Sequence, residues 1–347
     1  MSMSLPKKLI FLCSFFVSEF CFAGPVEQYN QNAQVYGATH CNRFSGGQYG
    51  YPDYYYDAAR VYLELGKDAC AVAAKNKYKQ WILSISPQGN VPGYWNFTKG
   101  LRLLGEKEAV RLLATNGAWC VASAYGDQNL PDPDYQRENA LCGMAKIDSF
   151  RLGNGLDARL GPVYLKNALL HLHRQFVLKN APYVKPFMVA LASEFLIQYV
   201  TEVEHDSRVK GMLEVVGDGL WADFWRPSAR AMLYVNRQLP GDDPPNPAPD
   251  LNLLIAPLYG WLYKQTGDAK WKERGDRLFA GGVEQAYLAN SKQFNQNYRW
   301  SGEYVKWAQV TPTPTPSPTA TPGCSDFSCV NREVDELKKR VEVLESE

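Results

Sequence analysis

Apolar residues recur along most of the chain with a period near 3.6, the spacing that places them on one face of an α-helix. One such stripe contains Ala58, Val61, Tyr62 and Leu65, a second contains Met188, Leu191, Phe195 and Tyr199, and a third contains Leu254, Leu258 and Leu262. The strict alternation of apolar and polar residues that marks a half-buried strand is scarce. The pattern therefore predicts an all-α core.

Short glycine turns separate the predicted helices. The segments LELGKDA at 63–69, RLLGEKEA at 102–109 and KQTGDAKW at 264–271 each carry a glycine where a left-handed residue ends a helix, followed by a residue suited to begin the next one. Such tight turns predict antiparallel helical hairpins. Gly66 and Gly105 lie 39 positions apart, which does not fit the repeat of about 34 residues of a tetratricopeptide array.

Three stretches resemble the helix pairs of the six-hairpin glycosidase and polysaccharide lyase superfamily. They are LYGWLYKQTGDAKWKERGDRLFAGGVEQAY at 258–287, YPDYYYDAARVYLELGKDA at 51–69 and VPGYWNFTKGLRLLGE at 91–106. The likeness covers about residues 50–310 and is one of architecture, because no catalytic motif of a family matches. It implies an (α/α) toroid in which the loops of one rim and the inner-helix N-termini line a central cleft.

Residues 1–23 have the composition of a secretory signal peptide. Lys7 and Lys8 precede the apolar run at 9–17, and small residues precede Gly24. This run is far shorter than the roughly 20 residues that cross a bilayer. We therefore expect cleavage, no transmembrane segment, and an extracellular or periplasmic protein.

Export changes how the cysteines are interpreted, because an even number in an oxidising compartment favours disulfides. Six remain after residue 23, namely Cys41, Cys70, Cys120, Cys142, Cys324 and Cys329. The first four allow three pairings, of which we prefer Cys41–Cys70 with Cys120–Cys142. The rival zinc site would need close pairs such as CxxC or HxxxH, and the sequence has neither.

The last part of the chain differs from the rest in composition. Residues 24–310 contain no Pro/Gly/Ser-rich divider and are predicted to form one domain. The Thr/Pro repeat at 311–323 (TPTPTPSPTATPG) favours polyproline II and a semi-rigid linker on the order of 40 Å long.

Residues 324–347 follow a heptad pattern. Phe327, Val334 and Val341 occupy a positions, and Val330, Leu337 and Leu344 occupy d positions. This predicts a short coiled coil that joins a homo-oligomer, either a dimer or a trimer. The alternative is a single amphipathic helix docked on the main domain.

The charge balance narrows the possible partners. The chain has 37 Lys+Arg and 36 Asp+Glu, a formal net charge of +1, which argues against nucleic acid as a partner. Without residues 1–23 the formal charge is zero, and this weighs mildly against a polyanionic substrate.

The motifs GxSxG, GxxxxGK[ST] and GxGxxG are absent, so a serine hydrolase, a P-loop NTPase or a Rossmann dehydrogenase is not expected, and no cofactor or metal is expected.

Aromatic residues clustered with polar ones mark the candidate site segments, since 21 Tyr, 9 Trp and 15 Phe provide many faces on which sugar rings can stack. The catalytic candidates are His40, Asp53, Tyr54, Asp57 and Asp157. The substrate-binding candidates are Arg43, Tyr51, Trp95, Asn96, Tyr298, Arg299 and Trp300. For each aromatic residue the alternative is packing in the core, and for Asp157 it is a plain ion pair with Arg159.

Together these features predict a secreted protein that acts on extracellular polysaccharide or another glycan. Glycoside hydrolysis needs a protonated acid and a second carboxylate about 5–9.5 Å away, for which Asp53, Asp57 and Asp157 are the candidates. Elimination from a uronic acid needs a Tyr or His base with a group that neutralises the carboxylate. Hydrolysis is slightly favoured because the core is nearly neutral. The alternative is a non-catalytic glycan-binding or surface-assembly protein.

Overall fold

A computed structural model describes residues 24–45, 56–85, 97–116, 133, 135–241 and 244–309. The predicted signal peptide at 1–23, the linker at 311–323 and the coiled coil at 324–347 lie outside the described residues and stay predictions. The described residues are mostly helical, which confirms the all-α class. None of the described helices is both long enough and apolar enough to cross a membrane.

The helices follow one another with few interruptions. They are α1 Pro25–Ser45, α2 Ala58–Glu64, α3 Asp68–Ile85, α4 Lys99–Leu103, α5 Lys107–Asn116, α6 Tyr135–Arg151, α7 Lys166–Leu172, α8 Pro186–Glu202, α9 Ser207–Phe224, α10 Asn252–Thr266, α11 Ala269–Gln285, α12 Ser291–Tyr298 and α13 Ser301–Gln309. Two π-helical segments, Leu160–Leu165 and His173–Val177, extend α7 at both ends. A 3₁₀ turn at Pro249–Leu251 precedes α10.

A small β-hairpin follows α9. Strand β1 (Trp225–Arg226) pairs antiparallel with β2 (Ala231–Met232), so that Trp225 faces Met232 and Arg226 faces Ala231.

The predicted glycine turns are confirmed. Gly66, Gly105 and Gly267 have φ angles of 66°, 75° and 69°, a left-handed conformation that glycine adopts without the steric cost of a Cβ atom. After Gly267, the Asp268 side chain caps α11 by accepting a hydrogen bond from the Lys270 amide at 2.9 Å. One glycine and one aspartate therefore end α10 and begin α11 within two positions.

Helix α6, the segment around α7, and α8 alternate in direction. Helices α6 and α8 run parallel, because the Gly143 backbone lies against the Phe195 ring and, nearer their C-termini, Asp148 accepts a hydrogen bond from Gln198 at 3.0 Å. The segment around α7 joins them in sequence and runs in the opposite direction. Its start contacts the C-terminal half of α6, where Lys146 binds Asp157, and its end contacts the N-terminus of α6, where the side-chain amides of Gln136 and Gln175 pair.

The even-numbered helices contact one another in a closed order, in which each contacts the following one and the last contacts the first. Helix α2 packs against α4, α4 against α6, α6 against α8, α8 against α10, α10 against α12, and α12 against α2. The first helix, α1, packs on α11, α12 and α3. Helices at the beginning and near the end of the described chain thus pack against each other.

The disulfide Cys41–Cys70 joins α1 to α3 with a Cα–Cα distance of 5.5 Å, which confirms that predicted pair. Cys142 is buried in α6, whereas Cys120 lies outside the described residues, and the Cys120–Cys142 pair stays a prediction.

Candidate functional site

Asp57 joins the first turns of two short helices. It is the N-cap of α2, with a left-handed φ of 60°, and its carboxylate accepts hydrogen bonds from the amides of Arg60 at 3.4 Å and of Gly100, in α4, at 3.0 Å. Only glycine fits at position 100, because a Cβ atom there would lie 2.4 Å from Asp57 Oδ1. The preceding Tyr56 is also left-handed, with φ 54°. Two consecutive non-glycine residues in this region are rare, and such strain is found at functional sites.

Beside Asp57, a buried glutamate of α8 lies between two arginines. Glu194 Oε1 accepts hydrogen bonds from Arg60 Nη1 at 2.9 Å and from Arg299 Nη1 at 3.0 Å. Arg299 Nη2 binds the other carboxylate oxygen, and Arg60 Nε binds Glu64 at 2.8 Å. We refer to Asp57, Arg60, Glu64, Glu194 and Arg299 as the Glu194 cluster.

Two aromatic rings border the Glu194 cluster. The ring centroids of Tyr56 and Phe97 are 5.1 Å apart, and the Arg299 guanidinium carbon lies 5.1 Å from the centroid of Phe97, within the range of a cation–π contact. Within the described part of the chain, Arg299 Nε is buried and has no hydrogen-bond partner. One donor of a guanidinium that is only 2% exposed is therefore unused.

Burial and ion pairs shift the pKa values of Asp57 and Arg60 in the cluster. Burial raises the pKa of Asp57 above its usual range, although Arg60, the Gly100 amide and Arg299 all act in the opposite sense. Burial by itself would lower the pKa of Arg60, but its ion pairs with Glu64 and Glu194 outweigh burial and raise it. Besides Asp57, the cluster contains two guanidiniums, of Arg60 and Arg299, and two carboxylates, of Glu64 and Glu194.

The Glu194 cluster and the residues that contact it come from three stretches of the sequence in which polar and aromatic residues are grouped, 40–57, 89–100 and 295–304. Asp57 ends the first, Phe97 and Gly100 belong to the second, and Arg299 belongs to the third. Sequence analysis missed Glu194 and Arg60. The available signal for Glu194 is a single acidic residue among the apolar residues of α8 (PFMVALASEFLIQYV), since a charge is rarely buried without a partner.

Several predicted residues lie in the packed core. His40 Nε2 hydrogen-bonds to the Leu288 carbonyl at 2.9 Å, and the Tyr298 hydroxyl donates to the Tyr29 carbonyl at 2.9 Å. The Trp300 indole donates to the Leu254 carbonyl at 2.8 Å. All three predicted residues are at most 2% exposed, so they pack inside the protein and offer no stacking face to solvent.

Two further predicted residues lie outside the Glu194 cluster. Arg43 is exposed in the last turn of α1. Asp157 accepts hydrogen bonds from Arg159 Nε at 3.0 Å and from Lys146, and the bonds from Arg159 and Lys146 lower its pKa although partial burial opposes them. The ion pair with Arg159 is the alternative that the sequence offered for this residue.

The remaining predicted residues lie outside the described residues. They are Tyr51, Asp53, Tyr54, Trp95 and Asn96. In sequence, the first three shortly precede Tyr56, and the last two directly precede Phe97.

A second network of charged groups joins α4, α6 and α8. Asp148 is 1% exposed and accepts hydrogen bonds from Thr98 at 2.6 Å and Gln198 at 3.0 Å, with Arg102 Nε at 3.2 Å. Burial raises the pKa of Asp148 to about 6, against the opposing effect of Arg102 and Lys99. Arg102 also binds Glu202 of α8. Because these groups saturate Asp148 with partners, we assign this network to holding the three helices together.

The chain matches no protein-family model, and neither the curated proteins nor the solved structures contain a match to it. Among the described ranges, no three His, Cys, Asp or Glu side chains are grouped as a metal site requires. The Glu194 cluster and its surroundings are therefore the candidate functional site.

Proposed function

We propose that the chain is an exported glycoside hydrolase that acts on extracellular polysaccharide and folds as an (α/α) toroid. The closed contact order of α2, α4, α6, α8, α10 and α12 supports this arrangement. So do the parallel directions of α6 and α8, with the segment around α7 returning between them. The Cys41–Cys70 disulfide is compatible with an oxidising compartment.

The observation that carries the proposal is the presence of two carboxyl groups in different environments within one cluster. Asp57 has a raised pKa, as a general acid needs, while Glu194 is paired with two guanidiniums. Enzymes assign acid and base roles to carboxyl groups by such differences in environment. Asp57 is proposed to protonate the glycosidic oxygen, and Glu194 to be the second carboxylate that hydrolysis needs.

Aromatic residues that precede the cluster-bordering rings in the sequence suit a sugar ligand. Tyr56 and Phe97 border the cluster and are themselves buried, and each closely follows candidate stacking residues, namely Tyr51, Tyr54 and Trp95. Aromatic faces stack on the apolar faces of sugars. Elimination is less favoured, because both guanidiniums of the cluster already bind carboxylates of the protein and leave no unbalanced cation for a uronate.

One observation favours the alternative, a non-catalytic glycan-binding protein. The Asp57 carboxylate is only 4% exposed and accepts backbone hydrogen bonds from α2 and α4. A carboxyl group that holds two helices together in this way need not react with a substrate. Activity measurements separate the two functions.

The experiment is a panel of neutral and acidic polysaccharides, read for new reducing ends and for the absorbance of unsaturated uronates. We expect reducing ends without that absorbance. Asp57→Asn keeps a side-chain acceptor for the Gly100 amide but cannot supply the proton, so we expect a rate at least about 100-fold lower. Glu194→Gln tests the second carboxylate in the same way.

The matched control is Glu108→Gln, which neutralises a 60% exposed carboxylate of α5 that pairs with Arg111. This variant should keep full activity. If neither readout responds while the wild type binds glycans on an array, the protein is a binding protein. Activity that survives in Asp57→Asn would remove Asp57 from the mechanism.

The proposal includes a homo-oligomer joined by residues 324–347. Deletion of this segment should yield monomers in non-reducing size-exclusion chromatography. An oligomer that persists after the deletion would refute the coiled-coil interpretation.

A further inference from the structure

An open groove of about 410 Å³ lies between the first turn of α1, the β1–β2 hairpin and α11. Its apolar part consists of Pro25, Trp225, Pro227 and Ala280. The Trp225 ring is held in place by stacking on Trp221, with ring centroids 4.7 Å apart. The groove is thus lined by two prolines and by a fixed tryptophan that is 7% exposed, and none of its lining residues belongs to the Glu194 cluster.

The charged residues of the groove are Arg230, Asp276 and Arg277, and each already has a partner. Arg230 binds Glu284, Arg277 binds Glu273, and Asp276 binds Lys272 and the Tyr304 hydroxyl. A charged ligand would have to compete with these pairs for charges that are already balanced. The groove is therefore suited to an uncharged ligand with an apolar surface.

The end of the described chain lies close to this groove. The Tyr304 hydroxyl of α13 donates a hydrogen bond of 2.6 Å to Asp276, which lines the groove. Helix α13 ends at Gln309, five residues further and so only about 7.5 Å along the helix axis. The Thr/Pro segment 311–323 begins two residues later and, at about 3.1 Å per residue, is long enough to reach the groove and extend along it.

The chemistry of this segment matches that of the groove. Residues 311–323 contain only Thr, Pro, Ser, Ala and Gly, and no charge. Proline-rich segments in the polyproline II conformation dock into grooves lined by aromatic residues, and their stiffness reduces the entropy lost on binding. We propose that the groove at Trp225 is an intramolecular docking site for the Thr/Pro segment 311–323. This inference does not depend on the proposed hydrolase activity.

Docking would change the role of the linker. A free polyproline II segment holds residues 324–347 up to about 40 Å from the core. A docked one holds them beside the β1–β2 hairpin and fixes the orientation of the cores in an oligomer.

The test uses the full chain and a fluorescein-labelled peptide of sequence TPTPTPSPTATPG, followed by fluorescence anisotropy. In one variant a Gly/Ser sequence of equal length replaces residues 311–323. The tethered segment of the wild type competes at an effective concentration on the order of 1 mM. For a peptide that binds with a Kd near 0.1 mM, we expect binding to the wild type to be about tenfold weaker than to the Gly/Ser variant.

Two further substitutions in the Gly/Ser background locate the binding. Ala280→Trp fills the groove and should abolish peptide binding. Ala269→Trp makes the same change at an exposed position of α11, about 16 Å away along the helix, and should leave binding intact. The proposal is overturned if the peptide fails to bind the Gly/Ser variant, binds the wild type equally well, or still binds Ala280→Trp. The proposal is likewise overturned if a neutral oligosaccharide binds, the peptide does not, and Ala280→Trp blocks the binding of the oligosaccharide. That result would identify a sugar site.

Discussion

The Asp57 carboxylate accepts a hydrogen bond from the Gly100 amide at 3.0 Å and thereby joins the first turn of α2 to that of α4. The contact depends on the missing side chain at position 100, because the two helices approach each other through that backbone. Asp57 and Gly100 are thus a single structural unit, although they lie in different segments of the sequence.

Gly100→Ala should destabilise the protein. The added Cβ would lie 2.4 Å from Asp57 Oδ1 and 2.5 Å from the Arg60 backbone nitrogen, and forced overpacking of this kind costs about 1–3 kcal/mol. Chemical denaturation measures the loss. The matched control is Gly211→Ala in α9, where no atom lies within 4 Å of the new Cβ and helix propensity predicts a gain of up to about 1 kcal/mol. Equal effects at the two positions would contradict the close approach.

The network around Asp148 should make stability fall as the pH rises. Asp148 has a folded-state pKa of about 6, compared with 3.8 for the unfolded chain, so the folded state binds the proton more tightly. The stabilisation by that proton is fully present below about pH 4 and is lost as the pH rises towards 6, by roughly 3 kcal/mol in total.

Asp148→Asn removes this titration. Urea denaturation between pH 4 and 7 should show a flatter profile for the variant, which should gain stability relative to the wild type as the pH increases. Asp218→Asn changes an aspartate whose side chain is 49% exposed and should leave the slope unchanged. A wild-type slope that persists in Asp148→Asn would exclude Asp148 as its source.

The parts of the fold that were predictable from the sequence are those that local rules determine. The left-handed glycines at 66, 105 and 267 and the Asp268 cap follow from the steric preferences of single residues. Cys41–Cys70 belongs to the pairing that we prefer among the three possible ones, and this disulfide is confirmed. In contrast, the burial of Tyr298 and Trp300 depends on contacts with α1 and α10, to which no short stretch of sequence points.

The Glu194 cluster shows why the site could be predicted only in part. Asp57 and Arg299 stand out in the sequence because polar and aromatic residues surround them. Glu194 lies in a helix whose pattern indicates burial, and its partners are 134 and 105 positions away. Only the packing of α2, α8 and the residues before α13 shows that two guanidiniums meet this carboxylate.

The Cys41–Cys70 disulfide should contribute measurably to stability, because it closes a loop with a sequence separation of 29 between α1 and α3. A loop of this length restricts the unfolded chain by about 3–4 kcal/mol in the chain-entropy description. The double substitution Cys41→Ala/Cys70→Ala should lower the free energy of unfolding by an amount of that order. Adding dithiothreitol should shift the wild type towards the variant. An unchanged midpoint of unfolding in the variant would show that α1 is held by packing alone.

Glu194 should be the most sensitive position of the cluster, because its removal leaves two buried guanidiniums without their shared counter-ion. Loss of one partner from a buried ion pair costs about 3–5 kcal/mol, and we expect Glu194→Ala to lose at least that much. Glu194→Gln keeps an acceptor oxygen and should lose less. Arg299→Met removes one guanidinium together with its unused Nε donor.

A double-mutant cycle tests whether Glu194 and Arg299 act as a pair. Arg299→Met removes both hydrogen bonds between the two side chains, and Glu194→Gln removes one of them together with the negative charge. Their combined effect on the free energy of unfolding should therefore be smaller than the sum of the single effects, by about 1–3 kcal/mol. The control cycle combines Glu194→Gln with Arg111→Met. Its effects should be additive, because the Arg111 guanidinium pairs with the exposed Glu108. Additivity in the first cycle would mean that the hydrogen bonds between Glu194 and Arg299 contribute nothing to stability, and that Arg60 alone balances the buried glutamate.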